Sequence, residues 1–151
     1  MLAVVHVLAG AAVGAALDQP TAVVVVAFFL HYFMDLLPHI DAETFAAKHL
    51  PYSWNQFISL IVDGLTAFTL SLVFFLFYHQ WFAVLIGSIA SLVPDLLIPL
   101  ERYRWFWPLQ RFHYLFHWNQ RHARYWSWYI AGLVTPTVFA LAATVILWAS
   151  F

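Results

Sequence analysis

The sequence predicts an all-α integral membrane protein, a single bundle of about five transmembrane helices over residues 1–151, and three observations predict it. The composition is 64% apolar, 20% aromatic and only 9% charged, whereas an average soluble domain carries roughly a quarter charged residues. A soluble domain of this length leaves about a third of its chain surface in water, so 15 Phe, 8 Trp and 7 Tyr argue against an aqueous home, and equally against disorder. The apolar residues also fall into five stretches near the length of about 20 residues that a helix needs to cross the hydrocarbon. Finally, all six Lys+Arg lie in two loops. The absence of cysteine excludes disulfides and thiolate metal sites and leaves the redox compartment open. A net charge of −1 excludes a generally basic nucleic-acid binder.

The first span, Leu2–Leu17, ends at the Asp18-Gln19-Pro20 break. It lacks the positive flank of a signal peptide and reads as a retained helix. The second, Thr21–Leu37, is closed by Pro38, because the residue before a proline disfavours the helical conformation. The third runs from Phe57 to Tyr78 and the fourth from Trp81 to Ile98, stopped by Pro99. The fifth covers about Trp128–Phe151, with Pro136 a candidate kink. Spans one, two and four are short, which suits a thin or locally pinched bilayer. A polar loop, His39–Gln56, separates spans two and three, and a long Arg/Trp-rich loop, Glu101–Ser127, separates four and five.

Lys48 lies in the first loop, and Arg102, Arg104, Arg111, Arg121 and Arg124 in the second. With five spans both loops share one side, so the positive-inside rule places them and the N-terminus in the cytoplasm and the C-terminus outside, in a cytoplasmic (inner) membrane. There is also an internal echo. His31 to Pro38 can be laid over Ser91 to Pro99, each ending a hairpin with Asp, a Leu pair and Pro; duplication and two independent helix stops explain it equally well.

Ionisable groups inside spans are expensive and usually functional. His6, His31, Asp35, Asp63 and Asp95 lie within the spans, and at about 1.5 Å rise per residue all five fall within roughly 10 Å of the cytoplasmic face. His31 and Asp35 are spaced i,i+4, which places both on one helix face, and His113 and His117 repeat that spacing. Imidazole with carboxylate and no thiolate suits Zn²⁺, Mn²⁺, Fe²⁺ or Ni²⁺ rather than Ca²⁺, with Zn or Mn the first candidates. The metal candidates are therefore His6, His31, Asp35, Asp63, Asp95, His113 and His117, enough for one or two ions. Simpler readings compete: an interhelical His–Asp clamp, snorkelling Asp–Arg pairs, and an aromatic belt around His113, His117 and His122.

The run Leu37-Pro38-His39-Ile40-Asp41, preceded by His31-x3-Asp35, and the early His6-x3-Gly10 resemble the YdjM-like family of inner-membrane metal-dependent hydrolases. Its pattern has a His near the N-terminus and a Pro-Asp-x-Asp-His element after a span. His6 matches the early His and Asp41 the second Asp, while His39 stands at the first Asp and Ala42 at the His. Ser91-Leu-Val-Pro94-Asp95 keeps the Pro-Asp without the following Asp-His. The resemblance covers about the first hundred residues and implies a metal-dependent hydrolase without naming a substrate.

The expected function is thus a membrane-embedded metal-dependent hydrolase at the cytoplasmic face. It would act on an ester or phosphoester of a lipid or membrane-associated substrate. His39 and Asp41 are the candidates for general base or further ligand. Arg102, Arg104, Arg111 and Arg121 are candidates for holding a lipid phosphate, with topology anchoring as the simpler role. The alternatives are a metal- or proton-handling transport protein, against which the charge-poor outer halves of the spans count, and a non-catalytic membrane partner.

Overall fold

The computed structural model describes residues 2–17, 19–39, 54–97, 103, 108, 111, 115 and 126–150. These form five helices, α1 (Ala3–Ala16), α2 (Pro20–Leu36), α3 (Trp54–Phe77), α4 (Trp81–Leu96) and α5 (Trp126–Ala149), with no strand among the described residues. The helix ends follow local chemistry. Pro20 occupies the first turn of α2, where its missing N–H costs nothing. Leu37, in front of Pro38, is extended and ends that helix. Pro94 and Pro136 lie inside α4 and α5 rather than stopping them.

One helix segment, Ile130–Ala149, is long and apolar enough to cross a membrane by length and composition; the segments Ala3–Ala16, Pro20–Leu36, Ile61–Phe77 and Trp81–Leu96 are apolar but shorter. Large apolar side chains face outward on every helix from α2 to α5, among them Phe29, Phe68, Leu72, Ile89, Leu141 and Trp148.

Helix α1 is the hub and touches all four others, most extensively α4. The reason is side-chain size. Gly10 and Gly14 on α1 face Ala83, Gly87 and Ser91 on α4, so closely that a Cβ on Gly10 would collide with the Gly87 carbonyl, and one on Gly87 with the Gly10 carbonyl. Small residues spaced four apart let two backbones approach until only glycine fits between them. Hydroxyls stitch the seam: Ser91 Oγ donates to the His6 carbonyl at 2.6 Å, and Ser88 Oγ to its own helix at Val84 (2.8 Å). Apolar packing fills the remainder. Ala11, Ala12, Ala15, Val84, Ala143 and Leu147 form one cluster, with the Tyr78 hydroxyl donating to the Leu147 carbonyl. Val5, Ala9 and Met34 form a second. This packing brings the N-terminal end of α1 beside the C-terminal ends of α2 and α4, where the polar side chains collect.

Candidate metal centre

Four elements supply the site. His6 comes from the first turns of α1, His31 and Asp35 from the last turns of α2, His39 from just beyond α2, and Asp95 from the end of α4. His6 and His31 are fully buried and Asp35 is 1% exposed. His39 is also buried, whereas the Asp95 side chain keeps 30% of its surface.

The hydrogen bonds fix how these rings are used. His31 Nδ1 lies 2.7 Å from the Ser91 carbonyl oxygen, and His39 Nδ1 lies 2.8 Å from that of Leu37. A carbonyl only accepts, so in both rings Nδ1 carries the hydrogen and donates it. In a neutral ring Nε2 then holds a lone pair. That nitrogen of His31 faces Asp35 Oδ2 at 3.0 Å and Asp95 Oδ1 at 3.6 Å, while that of His39 faces Asp35 Oδ1 at 3.8 Å. His6 Nε2 lies 3.3 Å from Asp35 Oδ1 without hydrogen-bond alignment, and neither ring nitrogen of His6 has a hydrogen-bond partner among the described residues. Leaving a buried imidazole so costs about 1–3 kcal/mol. Lone pairs aimed at carboxylate oxygens repel unless something positive sits between them.

A proton or a metal ion can supply that charge. Charge-assisted N–H···O bonds measure about 2.7–2.9 Å. Two donors on one ion, each about 2.1 Å from it and at 90–109° to each other, are roughly 3.0–3.4 Å apart. The gaps of 3.0 and 3.3 Å fall within that second range, and those of 3.6 and 3.8 Å lie beyond it. His6, His31 and Asp95 each offer one ligand atom within 4.8 Å of the others. Donation of Nδ1–H to a backbone carbonyl is also how a metal-binding imidazole is commonly oriented. The donor set therefore fits a divalent first-row cation. The C-terminal ends of α2 and α4 add the negative end of the helix dipole, which again favours a cation.

Two expectations change. Asp63, counted from its depth among the ligands, is committed elsewhere: its two oxygens accept the backbone N–H groups of Ala3 (2.7 Å) and Val4 (3.1 Å). These first-turn donors have no partner within α1, and Leu2 offers no side-chain cap. The carboxylate that looked too deep to lack a cation is thus balanced by a helix N-terminus instead. His39, expected as a possible base, is buried with Nε2 turned to Asp35, which suits a ligand better. Asp41, His113, His117, Arg102, Arg104 and Arg121 lie outside the described residues, while Arg111 is exposed.

Two features of the site escape a reading of its ionisable residues. Ser91 orients His31 through its carbonyl and holds α1 through its hydroxyl. The glycines of α1 and α4 place His6. The signal for both was available as small residues four apart, Gly10 and Gly14 facing Ala83, Gly87 and Ser91. Among known proteins, no family model, no curated protein and no solved structure matches the chain.

Proposed function

We propose that the chain is a multi-pass membrane protein whose cytoplasm-facing end binds a divalent metal and hydrolyses an ester or phosphoester of a lipid or membrane-associated substrate. One observation carries the metal: His31 gives its Nδ1–H to the Ser91 carbonyl and turns Nε2 toward two carboxylates. His6, His31, Asp35 and Asp95 are the ligands. A divalent ion there would polarise a carbonyl or phosphoryl oxygen and acidify water near neutral pH. The chain's own part is to hold the imidazoles in one tautomer, to keep Asp35 dry, and to leave the Asp95 edge open.

The membrane reading is supported by the outward apolar faces and by the hydroxyls among them. Thr66, Thr69, Thr137 and Thr144 are exposed, yet each donates to the carbonyl four residues earlier in its own helix, as a hydroxyl does where no water is at hand. The hydrolase reading leans on the resemblance of His6, His31-x3-Asp35 and Asp41 to the YdjM-like pattern. Arg111 and its neighbours in sequence remain candidates for a lipid phosphate.

The test uses the full chain purified in detergent. Elemental analysis should find stoichiometric Zn or Mn, and a panel of nitrophenyl esters and phosphoesters should show hydrolysis that a chelator abolishes and the ion restores. His31→Ala and Asp35→Ala should each lose metal, since even an outer-shell partner is worth about 10–100-fold in affinity and a direct ligand more. Full metal content in both variants would remove the assignment. Stoichiometric metal without hydrolysis of any substrate in the panel would leave a metal-handling protein.

A further inference from the structure

Resting on that metal reading, we infer that the cluster takes two divalent cations, with the Asp35 carboxylate as the bridge between them. The argument starts from the two buried rings. His6 and His31 are stacked, with centroids 4.1 Å apart and planes inclined by 27°. An imidazole nitrogen donates in the plane of its ring. For two rings to serve one ion, their Nε2 lone pairs must converge on a point about 2.1 Å from each nitrogen. The two stacked rings instead approach different oxygens of one carboxylate.

The carboxylate oxygens are divided accordingly. His6 Nε2 meets Oδ1 at 3.3 Å, and His31 Nε2 meets Oδ2 at 3.0 Å. Each oxygen has a second companion. His39 Nε2 lies 3.8 Å from Oδ1, on the His6 side. Asp95 Oδ1 lies 3.6 Å from His31 Nε2, on the Oδ2 side. Two ligand sets result: His31, Asp95 and Asp35 Oδ2 for one ion, and His6, His39 and Asp35 Oδ1 for the other. Each has three protein donors, one short of a tetrahedral set. Imidazole and carboxylate donors of this kind suit Zn²⁺ or Mn²⁺. Asp35 is the one residue common to both sets, and it is the most enclosed carboxylate among the described residues whose burial is given.

The experiment is titration of the chelator-stripped, full-length protein with Mn²⁺, followed by elemental analysis and electron paramagnetic resonance. The expected result is two Mn per chain with an exchange-coupled multiline signal. His6→Ala and His31→Ala should each retain one Mn with the signal of an isolated ion, and Asp35→Ala should lose the coupling. One Mn per chain in the unaltered protein, with an isolated-ion signal, overturns the two-ion assignment and leaves the single-metal centre standing. Two uncoupled ions overturn the bridge. No bound Mn and no bound Zn overturn both the pair and the metal centre beneath it. The unaltered protein decides each of these outcomes, so a variant that fails to fold does not remove the test.

Discussion

The α1–α4 seam and the outer faces of α3 and α5 are built from equally apolar sequence, yet they do opposite things. Along the seam the residues are small, and the backbones of Gly10 and Gly87 meet directly. On α3 and α5 the large side chains Phe68, Leu76, Leu141 and Val145 point away from the bundle, and a Cβ on Gly64 of α3 would meet nothing. Hydropathy does not separate these regions; side-chain volume at the contact does. Apolar size provides a coat, whereas the lack of it provides closeness, and closeness is what brings His6 of α1 within reach of Ser91 on α4.

The sharpest way to break the comparison is to add volume to the seam. Gly87→Leu should be the most damaging change, because its Cβ already collides with a carbonyl that cannot move aside. We expect a loss of about 3 kcal/mol or more, together with loss of bound metal, read by thermal denaturation in detergent and elemental analysis. The same substitution at Gly64, in open space, should cost no more than about 1 kcal/mol. Equal damage at the two glycines would show that the close approach is not what matters.

Asp63 comes next, since it ties the outer helix α3 to the seam. Asp63→Ala removes the cap from Ala3 and Val4 and should cost about 1–2 kcal/mol of stability. Metal affinity should fall as well, because His6 is two residues beyond Val4. Stability lost with affinity unchanged would confine Asp63 to holding the helix end. The smallest effect belongs to the coat. Leu141→Ala, on an exposed face of α5, should change stability by about 0.5 kcal/mol or less and leave metal content as it was.

The helices were legible because each is bounded by a break with a mechanism: Pro20 at the start of α2, Pro38 after its end, and the turn at Tyr78–Gln80 between α3 and α4. Span boundaries read from the sequence differ from the observed helices by at most three residues. Pro94 and Pro136 are exceptions in kind, since each lies inside its helix, α4 or α5, without stopping it. The His31–Asp35 pair was legible from i,i+4 spacing alone. That Asp95 joins it followed from depth. Asp63 has the same depth and a different fate, and depth cannot distinguish them. A carboxylate at this end of the bundle can answer a metal, an arginine or the free N–H groups of a helix end. Only the packing of α3 against the start of α1 decides which.

The enclosure of the cluster has a kinetic consequence. With His6, His31 and Asp35 all sealed from solvent and Asp95 the one partly open member among the four, an ion held by the proposed centre would meet a chelator only along the Asp95 edge, with its buried donors out of reach. Its release from those buried donors would wait for the end of α2 or α4 to loosen, a local opening of the kind that occurs on microsecond-to-second scales or slower. Stripping should therefore proceed at a rate that stops rising with chelator concentration. The limiting rate then measures how often that end of the protein breathes, not how tightly it holds its cargo.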